Sequence, residues 1–168
     1  RLCRSSRVRG RIALHRVRVE MNDGVVRLVV PRGRRAIAAD YELPVPGSVL
    51  IRETGTTIRA SLITGADRPE VTGWSAVFQS AALSLPLTVR GRRPGDRFHP
   101  LGAPGTRKLQ DVLVDRKVPA DVRDEVPVVV DRDGRIVWVG GVAIDHRCRV
   151  TRPAAGMVKL DLEKKGNQ

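Results

Sequence analysis

The 168-residue sequence is poor in aromatic side chains: Tyr41, Trp74, Phe78, Phe98 and Trp138 are all it has. A reader of single-stranded nucleic acid usually stacks successive bases on several aromatic faces. This composition argues against an RNA-recognition-motif or OB-type stacking platform. It leaves recognition of duplex shape and phosphates, which needs mainly cations. Cysteine is equally scarce. Cys3 and Cys148 lie far apart and form no CxxC pair, and they read as isolated thiols rather than a disulfide scaffold. His15, His99 and His146 make no HxxxH or Cys/His cluster, so no metal site is inferred. No Gly-rich P-loop or dinucleotide fingerprint occurs. No apolar run approaches the roughly 20 residues of a membrane-spanning helix. The opening Arg1-Leu2-Cys3-Arg4 leads into no apolar segment of a secretory signal, and Arg1 in place of Met gives the expectation of a start inside a longer, cytoplasmic protein.

Positive charge is what the chain has in excess. Lysine and arginine number 31 against 18 acids, a formal net charge of +13 and a pI near 11.3. Such an excess favours polyanionic partners through counterion release and steering, and says nothing of fold. A cationic surface kept for solubility, or arginine-rich coding bias, is the alternative explanation. The charge is uneven along the chain. Residues 1–35 hold eleven arginines against Glu20 and Asp23, a net of +9; residues 36–87 are nearly neutral; residues 88–152 carry fourteen basic and nine acidic residues, a net of +5.

Apolar runs Val17 to Glu20 and Val25 to Val30 flank Met21-Asn22-Asp23-Gly24, and Asp-Gly between such runs signals a hairpin. This predicts one basic β-hairpin preceded by a ragged basic arm, with Pro31 to Asp40 as a linker. Val49 to Ile51, the alternating β-branched stretch Thr56 to Thr64, and Trp74 to Gln79 read as strands. Further strands are expected at Leu87 to Arg92, Val128 to Val130, Arg135 to Val139, Val142 to Ile144 and Met157 to Leu162, with turns at Pro94-Gly95-Asp96, Asp133-Gly134 and Gly140-Gly141. Thr106 is the expected N-cap of one helix from Arg107 to about Lys117, its core face made by Leu109, Val112 and Leu113 at i, i+3 and i+4 spacing. A short helical turn is expected near Asp121 to Glu125. The fold class is therefore α+β: a β-rich mixed domain with one main helix at about 107–117. Residues 1–40 form the arm and hairpin, and residues 41–168 the β-rich domain.

The cations near that helix are the candidate site. Arg107 and Lys108 in its first turn sit unfavourably against the helix dipole unless a phosphate docks there; the alternative is that both point into solvent. Arg90 and Arg92 share a strand face, and either contact phosphate or pair with neighbours such as Asp96. Arg93 and Arg97 flank the turn and are favoured for RNA contact; Arg116, Lys117 and Arg123 are candidates of the same kind. Phosphate contacts position a duplex without reading its sequence. Asp111 and Asp115, one helical turn apart, could serve acid–base or metal chemistry, but Arg107 and Lys108 lie within pairing range of Asp111, which favours a solvated ion-pair face. Asp131-Arg132-Asp133-Gly134 lacks the further acids of a calcium loop and is explained by a hairpin turn.

The ordered stretch Val89-Arg90-Gly91-Arg92-Arg93-Pro94-Gly95-Asp96-Arg97-Phe98-His99-Pro100-Leu101-Gly102 continues through Gly105-Thr106-Arg107-Lys108-Leu109-Gln110-Asp111 and Asp115-Arg116-Lys117-Val118-Pro119. Arg123-Asp124, Val126-Pro127 and Ile136-Val137-Trp138-Val139 follow in order. Together these resemble the C-terminal domain of bacterial tRNA(Ile)-lysidine synthetase, closely over about residues 86–152 and more weakly before. The resemblance implies a part of an ATP-dependent ligase that attaches lysine to the wobble cytidine of an isoleucine tRNA with a CAU anticodon. It implies ATP with magnesium, and lysine, at an N-terminal PP-loop domain, tRNA as the partner of this portion, and a possible homodimer of the full-length enzyme. The chain departs from the whole family in holding no Ser-Gly-Gly-x-Asp-Ser; its Gly140-Gly141 is followed by Val142 and Ala143. On that ground it is expected to bind tRNA without catalysing. A freestanding basic RNA-binding module is the alternative, and a non-specific binder of DNA or anionic membrane a third.

Overall fold

The computed structural model describes residues 11–14, 17–22, 25–29, 35–64, 74–151 and 156–164. The chain falls into two compact units, residues 1–33 and 34–168. In the first, β1 (Arg11–Leu14), β2 (Val17–Asn22) and β3 (Val25–Val29) form an antiparallel sheet in that order. Asn22 faces Val25 and Met21 faces Val26, the register expected of a hairpin closed at 23–24, residues that themselves lie outside those described. The basic arm is not wholly ragged. Its residues 11–14 add a third strand, with Leu14 opposite Val17. The connection at His15-Arg16 carries none of the Gly, Asn or Asp that marks a two-residue turn, so nothing local announced it. Residues 1–10 lie outside the described set.

In the second unit, β4 (Tyr41–Leu43), β5 (Gly47–Ile51), β6 (Thr56–Ile63), β7 (Ser75–Gln79) and β8 (Leu87–Arg90) precede the helix region. The two-residue strands β9 (Arg97–Phe98) and β10 (Arg107–Lys108) then lead into α1 (Leu109–Asp115). β11 (Val128–Val130), β12 (Ile136–Val139), β13 (Ala143–Ile144) and β14 (Met157–Lys164) complete the chain. A four-stranded sheet runs β5-β6-β14-β7 and a five-stranded sheet β13-β12-β11-β8-β4. The eight-residue strands β6 and β14 pair along their full length. The alternating burial of β6, with Thr56, Ile58 and Ala60 inward, follows from the period of two read in its sequence.

Side-chain alternation fixes the layering. Val129 joins Leu43, Ile58, Phe78, Trp138 and Leu160 in a core between the two sheets. Its neighbours Val128 and Val130 point the other way, into a second core with Phe98, Leu109, Val112 and Leu113. The five-stranded sheet is thus buried on both faces, by the other sheet and by α1. Each Leu or Phe so buried contributes about 1.5–3 kcal/mol.

The linker is tied to this unit. Ile37 is buried, and its N–H donates to the Asp124 carbonyl at 3.1 Å. The Glu53 carboxylate accepts from the N–H groups of Ala38 and Ala39 at 2.9 and 3.1 Å and from the Tyr41 hydroxyl at 2.6 Å. The Tyr41 bond outweighs desolvation and holds the Glu53 carboxyl down to about 2. Gly91 admits this arrangement: a β-carbon there would lie 2.3 Å from the Ile37 carbonyl oxygen.

Candidate nucleic-acid interface

The turn between β8 and β9 is organised by one carboxylate. Asp96 accepts two bonds from the Arg90 guanidinium, at 2.8 and 2.9 Å, and a third from the Arg93 N–H at 2.7 Å. Arg90 also donates to the Gly91 carbonyl at 2.8 Å. Burial opposes the charge on Asp96, but the Arg90 and Arg93 donors outweigh it and keep its carboxyl below the usual range. Arg90 is 6% exposed. Of the two readings open for it, pairing with Asp96 is the one realised, and Arg90 is structural.

The same turn seats the helix. The Leu109 N–H donates to the Asp96 carbonyl at 2.9 Å, and β10 pairs with β9, Arg107 opposite Phe98 and Lys108 opposite Arg97. The helix therefore begins two residues later than its sequence suggests. Arg107 and Lys108 are extended, Lys108 rather than Thr106 occupies the N-cap position, and α1 is seven residues long. The reason is tertiary: a strand pairing, closed over buried Phe98, wins the residues that local propensity assigned to a first turn. Arg107 and Lys108 thus stand on β10 rather than in a first helical turn, and the Leu109 N–H at the start of α1 is taken by the Asp96 carbonyl.

The expected contact residues divide by their partners. Arg93 holds Asp40 through two bonds of 2.8 and 2.9 Å. Arg92 reaches Asp124 and Gln110, each at 2.7 Å. Arg107 pairs with Asp115 at 2.7 Å rather than with Asp111. Arg123 caps the chain after the helix by donating to the Val118 carbonyl at 2.9 Å. Arg97, Lys108, Arg116 and Lys117 are exposed and have no acidic partner among the described residues. Arg116 and Lys117 follow the last helical turn, where cations are favoured by the dipole. Lys117 takes φ 56°, the left-handed cap conformation, and its N–H bonds the Val114 carbonyl at 2.9 Å. Arg97 and Lys108 face each other directly across two strands. Like charges so placed repel, and an anion between them relieves the repulsion.

Three clefts open around this segment. One of about 500 Å³ is bordered by Arg92, Arg93, Gly95, Lys108 and Gln110. One of about 280 Å³ lies between the Pro100–Pro104 loop and Arg107, Asp115 and Arg116. One of about 310 Å³ runs from Arg116 and Lys117 to Trp74 and Gly141. Arg93 and Lys108 share the first, Arg107 and Arg116 the second; Arg97 and Arg123 line none of the three.

One arrangement went unread in the sequence. His99 and His146 stack, ring centroids 4.7 Å apart and planes within 13°. Burial first, then the charges of Arg149 and His99, lowers the His146 pKa. Buried Asp145 accepts the His99 N–H and chelates the Arg147 guanidinium, so these groups moor the loop after β9. The histidines are separated by 46 residues, and no spacing rule joins them. Cys148 is buried, and burial pushes its thiol up to about 11, which makes it an inert packing residue. Asp131 accepts the N–H groups of Asp133 and Arg135 and the Arg135 guanidinium, as a hairpin turn requires. Among the described residues no three His, Cys, Asp or Glu gather to hold a metal, and no helix is long and apolar enough to cross a membrane.

Neutralising the Arg107 partner should show whether that arginine is held in reserve. Asp115→Asn is expected to change stability by less than about 1 kcal/mol, because the pair is exposed, and to raise affinity for a polyanionic ligand a few-fold by freeing a cation. Titration at fixed salt checks this; unchanged affinity would place Arg107 outside the contact surface.

The fold and these cations define a class: a β-rich α+β domain with one helix that displays exposed cations, some paired with carboxylates and some not. Comparison with known proteins narrows it. The model of the TilS substrate C-terminal domain matches residues 87–161. A tRNA(Ile)-lysidine synthase of Symbiobacterium thermophilum is 38% identical over 137 residues, covering 79% of this chain and 28% of that protein. One from Geobacillus kaustophilus is 40% identical over 102 residues, 61% of this chain and 22% of that protein. The crystal structure of a TilS C-terminal domain superposes with a TM-score of 0.66 at 33% identity, over 77% of this chain and all of the other. The chain belongs to the TilS C-terminal domain family, and it spans about a quarter of the length of these full-length relatives.

Proposed function

We propose that this chain is the tRNA-gripping portion of a cytoplasmic tRNA(Ile)-lysidine synthase, the ligase that joins lysine to the wobble cytidine of an isoleucine tRNA with ATP. The observation that carries it is the set of exposed cations without acidic partners among the described residues, Arg97, Lys108, Arg116 and Lys117, mounted on a turn, strand pair and helix within the family's own domain. Such a surface holds phosphates by charge and shape, and supplies no group that activates a carboxylate or a cytidine. The residues here do not fit ATP and magnesium: the sequence has no Ser-Gly-Gly-x-Asp-Ser, and the described acids do not cluster.

The test is footprinting of tRNA with the purified chain across a salt series. Expected is protection confined to one region of the tRNA, with an affinity that falls steeply with salt, each phosphate contact adding about −0.7 to −0.9 to the log–log slope. Incubation with ATP, lysine and tRNA is expected to yield no lysidine. Equal competition by duplex DNA, or lysidine formation by the chain alone, would overturn the reading.

A further inference from the structure

The third cleft is unlike the other two in having an aromatic wall. Trp74, just before β7, is 53% exposed, while Trp138 is 2% exposed in the core. The Cε3–Cζ3 edge of Trp74 packs against Gly141: a β-carbon there would sit 2.7 Å from both atoms. Gly141 has φ +69°, so the turn between β12 and β13 and the seat of the ring both call for glycine. Lys164 Nζ lies 5.7 Å from the ring centroid, a cation–π distance. Val118, Pro119, Pro127 and Leu162 supply further apolar wall. The charged lining is Arg116, Lys117 and Lys164 against Glu125 alone. The volume of about 310 Å³ is at the small end of ligand pockets, which run from about 300 to 1,000 Å³.

We propose that this cleft takes one unpaired nucleotide of an RNA strand, its base stacked in the groove against Trp74 and its phosphate held by Arg116, Lys117 and Lys164. An apolar peptide would use the walls and leave three cations without a partner. A duplex would use the cations but could not stack on the indole, because its bases are stacked within the helix. An unpaired nucleotide satisfies both. Every base has a π-face, so stacking here imposes no sequence preference. The few aromatics of this chain cannot make a multi-base platform, but a single pocket needs only one. Arg116 and Lys117 also belong to the proposed tRNA surface, which places an unpaired nucleotide beside the gripped duplex; the pocket itself does not depend on that reading.

The full chain is titrated with an adenylate hexamer and with a blunt-ended RNA duplex. Indole emission and the anisotropy of labelled RNA are both followed. Trp138 is shielded in the core, so quenching by a stacked base reports on Trp74. The hexamer is expected to quench and the blunt duplex not to. Trp74→Leu should weaken hexamer binding about 5- to 150-fold, the equivalent of one base–aromatic stack. Trp74→Phe should retain most of the affinity, and both variants should bind duplex as the parent does, which shows that they fold. Hexamer binding that persists unchanged in Trp74→Leu overturns the proposal, as does equal quenching by the blunt duplex. Loss of tRNA and duplex binding with hexamer binding intact would remove the tRNA-gripping reading and support this one.

Discussion

Asp96→Ala is expected to destabilise the second unit by about 3–5 kcal/mol, because it leaves the Arg90 guanidinium buried without its carboxylate. That is a large part of the 5–15 kcal/mol typical of a folded domain. Three bonds are lost: two charge-assisted bonds to Arg90, and the bond that ties the Arg93 N–H into the turn. Arg90→Met combined with Asp96→Leu should cost less than Asp96→Ala alone, since no charge is then left buried; what remains is the turn bond, about 1 kcal/mol. Urea denaturation measures both. The pH dependence has a definite sign. The Asp96 carboxyl is held below its ordinary value of 3.8 in the fold. Its contribution is therefore complete above that value and is lost as pH falls through the lower, folded value. The parent should lose stability down that acid window, and Asp96→Ala should lack this component of the slope. A cost under about 1 kcal/mol would mean that Arg90 escapes to solvent and that the turn does not rest on this pair.

What the sequence shows and hides follows the range of the interactions. Strands β5 to β8 and β11 to β14 are legible because β-branched alternation is local, and Leu109, Val112 and Leu113 are legible because helical spacing is local. The start of α1 is not. Arg107 and Lys108 have good helical propensity, but they are drawn into a strand by Phe98 and Arg97, nine and eleven positions earlier. The structure divides the candidate cations into paired and unpaired, a division the sequence does not carry. Arg93 finds Asp40 across 53 residues and Arg92 finds Asp124 across 32, separations at which charge pattern carries no signal. Gly140-Gly141 reads as a turn and is one; that its second glycine also seats Trp74 depends on a contact 67 positions away. Residues that act through tertiary neighbours are thus the ones a sequence leaves open, and they include most of this site.

The strongest effect on function is expected from removing exposed cations together. Arg97→Ala, Lys108→Ala and Arg116→Ala are each expected to leave stability within about 0.5 kcal/mol: all three side chains are exposed, and although Lys108 and Arg116 stand at the two cap positions of α1, the Lys108 side chain makes no capping bond. Their combination should even relieve the repulsion between Arg97 and Lys108, which stand opposite each other with no acid between them. Binding should move the other way. If all three meet phosphates, the log–log salt slope for tRNA falls by about 3, and affinity near physiological salt drops on the order of 100-fold. The pairing of these two changes is what makes the experiment decisive, because a structural role would lower stability and binding together. Arg123→Ala is the internal contrast: its guanidinium is spent on the Val118 carbonyl, so it should lower stability by about 1 kcal/mol and leave the salt slope nearly unchanged. A triple variant that kept the parent's slope would show that the polyanion lies on another face, and the repulsion built into β9 and β10 would then need a different counterion.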